Sequence, residues 1–430
     1  MRLVKGRGNF PCTLNGLTAA DGACQSSKGM TCDSPYYAMR DDAKRSRRVV
    51  ANYAVYLNEL VFTRGFLGQD ETHPLLVVCD EAHRLLDQLT QFETVQLTTK
   101  AADKLGLAYP SRGWDTIEDA IAWCTENRKV VQEHMSASLT SGTKEARDWV
   151  AMARTIRSWR GLTNAYLPLE TGETIKAAPL WPTRTARKLF DSAEHFLLMS
   201  ATLYGGHLLA ELIGLDPAEY EYYASPSPFD PRRWPVHVRP VASLSYRAGN
   251  EEWERMAQEI HRYMHEYKNT RGIIHVTAAK SLNRPLHVID GCESCAPRLL
   301  RPRGTDAGRG KRRADLLSQF RRAGPDAWLA HYSVGEGESF DDDSARIQLI
   351  TKVPYPDLSD VLTKLRSEDS GVGRKLYAAM TLAKIGQTAG RVMRHEKDYG
   401  ETIILDGNFL RLWKWNKDLA PGWLKDVLVW

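Results

Sequence analysis

Asp80 and Glu81 stand side by side at the end of the apolar run Leu75-Leu76-Val77-Val78-Cys79, with Ala82 and His83 directly after them. Two adjacent carboxylates at the end of a buried strand suit metal-assisted hydrolysis. One can hold Mg²⁺, usually through water, and the next can polarise the attacking water. Arg391 and Arg394 are a second set, three residues apart, so that on a helix they face one direction. Gln387 lies four residues before Arg391. A third set is Cys12, Cys24 and Cys32, in a stretch rich in Gly, Ser, Thr and Asp where little core can form. Such segments often depend on a metal centre for their fold. Cys292-x-x-Cys295 is a single pair; it does not close a four-ligand site and reads as two incidental thiols.

The elements that would position these groups follow from periodicity. Phe196-Leu197-Leu198-Met199 is an apolar strand ending in Ser200-Ala201-Thr202. Arg47 to Phe62 begins strand-like and continues helically. From about Thr94 to Pro179 the pattern turns helical, with Ile117, Ile121, Ala122 and Trp123 on one face and Val150, Ala153, Ile156 and Trp159 on another. Arg154, Arg157 and Arg160 around Trp159 read as an amphipathic helix with its tryptophan in the core, or as a charged and aromatic surface for a nucleic-acid strand. Pro226 to Pro240 is punctuated by proline and reads as a linker or as the entry to a second domain. Beyond it, Gly272–Val276, Ala327–Tyr332, Ile347–Ile350 and Thr402–Leu405 alternate with helical blocks, as a parallel α/β sheet requires. Trp413, Trp415, Trp423 and Trp430 are expected to pack a terminal helix.

In order along the chain come DEAH at 80–83, SAT at 200–202, the His331–Gly337 segment, Lys352-Val353-Pro354-Tyr355-Pro356-Asp357, and Gln387-x-x-Gly390-Arg391-x-x-Arg394. This order resembles the superfamily 2 DNA helicases of the XPD/DinG branch. DEAH corresponds to the Walker B motif II, SAT to motif III and QxxGRxxR to motif VI. The resemblance implies two RecA-like parallel-sheet domains, the first incomplete, carrying a cysteine-rich insert and a helical Arch-like insert. The implied limits are 1–46 for the cysteine-rich insert, 47–93 with 180–225 for the partial first domain, 94–179 for the Arch-like insert and 226–430 for the second domain.

It further implies ATP hydrolysis coupled to 5′–3′ translocation on single-stranded DNA, with ATP and Mg²⁺ as cofactors and DNA repair as setting. Asp80 would associate with Mg²⁺ and Glu81 would be the base. Arg391 and Arg394 would be arginine fingers. His83, Gln387, Gly390 and Gly337 would line the nucleotide, and Ser200, Ala201 and Thr202 would couple it to domain closure. Relatives hold a [4Fe–4S] cluster with four cysteines at the place of Cys12, Cys24 and Cys32. Here three are present, so a cluster, a zinc ion and no metal all stay open.

Two departures stand out. No G-x-x-x-x-G-K-[ST] occurs; the nearest stretch, Gly310-Lys311, has Thr305 and Arg312 in place of the first Gly and the Ser/Thr. The chain opens at the cysteine-rich insert, so three readings follow: a helicase without its P-loop, a non-hydrolytic clamp on single-stranded nucleic acid, or one subunit of a split helicase with a P-loop-bearing partner chain. In addition, Glu336-Gly337 is followed by Glu338-Ser339 where the family usually has Val-Asp.

Composition agrees with a cytoplasmic nucleic-acid enzyme. A hydrophobic share of 43% with 26% charged residues is ordinary for a globular chain. The net charge of +5 is unevenly spread, because Arg301–Arg322 holds eight Arg/Lys against Asp306 and Asp315. That run is either a solvated face or a track for a phosphate backbone. Seven scattered cysteines do not form a disulfide framework. No secretory signal or membrane span is visible.

Overall fold

Strand β1 (Arg2–Leu3) pairs in parallel with β2 (Val49–Val50), and the apolar run before the paired carboxylates forms β3 (Leu76–Cys79). The computed structural model describes residues 1–13, 18–20, 33–63, 74–138, 143–163, 165–245, 247–277, 283–302, 309–331, 340 and 342–430. Two units are evident, Met1–Met199 with Ala210–Glu219, and Ser200–Leu209 with Tyr220–Trp430.

In the first unit β4 (Val95–Thr98), β5 (Tyr166–Glu170) and β6 (Thr174–Pro179) form an antiparallel sheet in the order β4–β6–β5. The 94–179 stretch is therefore not wholly helical. Its helices, Ile117–Ser138 and Lys144–Arg160, pack on this small sheet. Strands of four to six residues with few β-branched positions leave little periodicity to read. Trp114 and Trp159 are fully buried between these elements, and Arg154, Arg157 and Arg160 lie at the surface. β7 (His195–Leu198) pairs in parallel with β3, Leu76 opposite His195 and Cys79 opposite Leu198. Among the described residues this sheet has two strands. Leu76 and Val78 are 52% and 51% exposed, and Leu197 and Met199 are also exposed. Parallel sheets are normally covered on both faces, so this one is open on one side.

The second unit is built on a seven-stranded parallel sheet. Its strands are β8 (Val236–Ala242), β9 (Gly272–His275), β10 (Leu299–Leu300), β11 (Trp328–His331), β12 (Ile347–Ile350), β13 (Glu401–Asp406) and β14 (Leu428–Val429). They lie in the order β10–β11–β9–β12–β13–β8–β14. Alternate residues face opposite layers. Leu349, Ile403 and Leu405 meet the Asn250–Glu266 helix through Met256 and Ile260. Ile350 and Ile404 meet the Gly371–Ala389 helix through Leu382 and Ile385. The α/β parallel-sheet expectation therefore holds.

The proline-punctuated entry to this unit contains the start of β8, whose Pro240 is accommodated where the β8–β13 register shifts between Ile404 and Asp406. Proline has no N–H to give a ladder and is tolerated at such irregularities. Of the terminal tryptophans, Trp413 and Trp423 pack against the core, whereas Trp415 and Trp430 are largely exposed.

A buried polar network crosses the centre of this sheet. Gln348 is 0% exposed, and its Nε2 faces the Thr388 carbonyl at 2.8 Å, the Ala389 carbonyl at 3.1 Å and Thr402 Oγ1 at 2.8 Å. Its Oε1 therefore faces His275 Nε2, 2.9 Å away, which makes the imidazole the Nε2–H donor. Burial holds His275 down at about 4. Unfolded histidine takes up its proton near pH 6.5. Between those values the unfolded chain binds the extra proton, so this stability is complete above about pH 6.5 and is lost as pH falls toward 4. The window corresponds to roughly 3 kcal/mol. Urea midpoints measured from pH 7.5 to 4.5 should fall in the wild-type chain, and His275→Asn should flatten part of that fall.

Candidate nucleotide and coupling site

Asp80 and Glu81 are both exposed, on a turn that begins as β3 ends. Glu81 has φ 50° and ψ 43°, the left-handed region, which costs a side-chain-bearing residue ~1 kcal/mol or more. Local bonds hold the turn in place. Asp80 Oδ1 accepts the Glu81 N–H at 2.8 Å, and the Ala82 N–H donates to the Met199 carbonyl at 2.8 Å. The Met199 N–H returns to the Cys79 carbonyl at 2.9 Å. Tyr53 OH donates to the Asp80 carbonyl at 2.8 Å. Burial, followed by Cys79 and the carboxylates, pushes the Tyr53 phenol up, so it stays a donor. His83 Nδ1 lies 3.2 Å from Glu81 Oε2, whose side chain is 64% exposed. Burial pushes the Cys79 thiol up to about 11, which makes it a packing residue.

The second unit contains the other expected groups. Gln387 Nε2 donates to Thr202 Oγ1 at 3.1 Å, and Trp423 Nε1 donates to the Ala201 carbonyl at 2.9 Å. Ser200 Oγ accepts the Thr202 N–H at 3.1 Å. The Ser-Ala-Thr turn is thus tied to the helix that carries Gln387. That helix stops at Ala389; Gly390–Val392 is a 3₁₀ turn and Met393 is extended. Arg391 and Arg394 therefore do not share one α-helical face. Gln348 satisfies the last carbonyls of the helix, those of Thr388 and Ala389.

Arg394 is exposed, and its N–H donates to Asp398 Oδ2 at 3.1 Å. Asp398 is fully buried, and its Oδ1 meets Arg346 Nη1 at 2.5 Å and the Tyr399 N–H at 3.0 Å. Arg233 Nε donates to the Asp398 carbonyl at 2.9 Å. Asp406, also buried, accepts the N–H groups of Leu244, Asn408 and Val353, the last at 2.8 Å. It anchors the Lys352–Asp357 segment at the sheet's C-terminal end. Sequence reading missed Gln348, Asp398 and Asp406. A lone polar residue within or just beyond an apolar strand was the available signal.

Cys24, Cys32 and Gly337 lie outside the described residues. Cys12 is buried, and the Ser34 hydroxyl donates to the neighbouring Pro11 carbonyl at 2.6 Å. Cys292 and Cys295 do not stand alone: His261 and His265 lie beside them.

The parallel sheet of the second unit, the carboxylate turn and the ordered motifs are similar to those of XPD/DinG-type superfamily 2 helicases. More particularly, residues 257–426 match the family of the helicase C-terminal domain. A solved structure titled XPD helicase superposes over 100% of this chain and 86% of its own, with TM-score 0.62 and 13% identity. A second, titled XPD apo, covers 86% of this chain and 80% of its own, with TM-score 0.51 and 15% identity. Among curated relatives, the regulator of telomere elongation helicase 1 homologue of Caenorhabditis briggsae is 28% identical over 109 residues, 22% of this chain and 11% of that protein. The Drosophila willistoni homologue is 30% identical over 129 residues, 26% and 12% respectively. The match thus spans about a tenth of the length of these relatives. Among the described residues, no helix is long and apolar enough to cross a membrane.

Proposed function

We propose that this chain provides the Walker B and motif VI parts of an ATP-dependent DNA helicase of the XPD/DinG type, moving 5′ to 3′ on single-stranded DNA inside the cell. The single observation that carries the reading is the Asp80–Glu81 turn: two exposed carboxylates at the end of a parallel strand, one held in the left-handed region. Asp80 would hold Mg²⁺ through water, the ion supplying charge neutralisation on the phosphates. Glu81 would orient and deprotonate water, with His83 fixing its carboxylate. Arg391 and Arg394 would neutralise the γ-phosphate, Gln387 and Gly390 would line the nucleotide with Gly337, and Ser200–Thr202 would transmit closure through the Gln387 bond.

The P-loop would come from a strand–loop–helix unit outside residues 1–430, in a further stretch of polypeptide or a partner chain. The open face of Leu76, Val78, Leu197 and Met199 supports this over a non-hydrolytic clamp, because an added parallel strand and helix would cover it. Cys12, Cys24 and Cys32 supply three of the four thiolates that a [4Fe–4S] cubane takes. They do not complete that set.

The test is ATP hydrolysis and single-stranded DNA binding by the purified chain. Salt-sensitive DNA binding without turnover is expected, with turnover appearing once a P-loop unit is supplied. DNA-stimulated turnover by the chain alone, lost in Glu81→Gln, would place the phosphate-binding element within these residues and overturn the external P-loop.

A further inference from the structure

His261 and His265 lie one turn apart on the Asn250–Glu266 helix, so both imidazoles project from the same face. Their Nε2 atoms are 3.0 Å apart. Cys292 and Cys295 follow the short His287–Asp290 helix in a tight turn, in which the Cys295 and Ala296 N–H groups bond the Cys292 carbonyl at 3.2 and 2.9 Å. Cys292 Sγ is 3.6 Å from His265 Nε2. One donor atom from each of the four residues lies within 4.8 Å of every other.

We propose that these four side chains form a zinc site that is structural rather than catalytic. The donors are two imidazole nitrogens and two thiolates. Tetrahedral bonds of ~2.0–2.1 Å to nitrogen and ~2.3 Å to sulfur place two nitrogens roughly 3.3 Å apart and nitrogen and sulfur roughly 3.6 Å apart. The observed nitrogen–sulfur separation of 3.6 Å matches that geometry, and the nitrogen–nitrogen separation of 3.0 Å is shorter by about 0.3 Å. Soft thiolates with imidazoles in a four-ligand set select zinc over hard cations. Four protein donors leave no open position for water, which separates a structural site from a catalytic one.

Cys295 is fully buried, and a thiol that coordinates a bound cation is deprotonated outright.

Position in the fold gives the ion its purpose. Residues 283–300 form an excursion between β9 and β11 that ends in the two-residue edge strand β10. A strand this short has little ladder to hold it. The ion would fasten the excursion to the core-packed Asn250–Glu266 helix, just before the basic Arg301–Arg322 stretch. None of the proposed nucleotide-site residues takes part.

The test uses the full 430-residue chain, purified without chelator. Mass spectrometry of the metal content should find about one zinc per chain, retained in a Cys12→Ser/Cys24→Ser/Cys32→Ser variant and lost in Cys292→Ser/Cys295→Ser. Replacing the metal by Co²⁺ in the wild-type chain should give tetrahedral d–d bands with thiolate-to-cobalt charge transfer, a readout that does not depend on any variant folding. Chelation should lower the melting temperature of the wild-type chain. A wild-type chain that takes up neither zinc nor Co²⁺, zinc retained by the Cys292→Ser/Cys295→Ser variant, or a Cys292–Cys295 disulfide in the chain isolated under reducing conditions would each overturn the site.

Discussion

Glu81→Gln is expected to lower DNA-stimulated ATP turnover about 10³-fold once the chain is supplied with its P-loop unit, while ATP-dependent DNA binding persists. The amide has the shape of the carboxylate but cannot accept a proton. The turn itself should survive, because it is held by the Asp80 carboxylate and by backbone bonds of Ala82 and Met199 rather than by the Glu81 carboxylate. Glu81→Gly separates geometry from chemistry: it should relieve the left-handed backbone, stabilise the chain by up to ~1 kcal/mol, and still abolish turnover. Steady-state hydrolysis alongside fluorescence anisotropy on labelled DNA reads both effects. Undiminished turnover in Glu81→Gln would falsify the assignment of the base.

Asp398→Ala should destabilise the second unit by ~3 kcal/mol, since it removes the buried carboxylate from the Arg346 guanidinium and leaves the exposed Asp343 as its acidic partner. For a unit of this size the melting temperature should fall by roughly 10 °C. Replacing both partners, Arg346→Met with Asp398→Leu, should recover most of the loss, because desolvation of two charges offsets much of their attraction. The consequence reaches motif VI, whose Arg394 N–H rests on Asp398 Oδ2. Differential scanning calorimetry of the single and double variants decides the matter. A single variant as stable as the wild type would show that the buried carboxylate contributes no net stability.

Much of the molecule was readable from local pattern. The apolar runs at β3, β7, β9, β11 and β12 are strands, and Trp159 is a core residue with arginines around it. For β9, β11, β12 and Trp159 this is a statement about burial within one element, which imposes a period of two or about 3.6 on the sequence, whereas β3 and β7 are apolar runs with one face open. The order of the motifs carried the class for the same reason: each is a short contiguous segment. β8 was hidden by its prolines, and β4, β5 and β6 by their shortness.

By itself, the sequence determined the parallel α/β class, the adjacent carboxylates at the end of β3, and the absence of a G-x-x-x-x-G-K-[ST] stretch. Tertiary structure alone decided the left-handed Glu81, the helix stop ahead of Arg391, and the buried roles of Gln348, Asp398 and Asp406. It also brought the His261/His265 pair to Cys292 and Cys295. The spacing of His261 and His265 was in plain view, but nothing local says which distant turn a helix face will meet. Convergence of that kind is set by how the sheet closes and which polar groups its layers must satisfy, and no single element's periodicity records it.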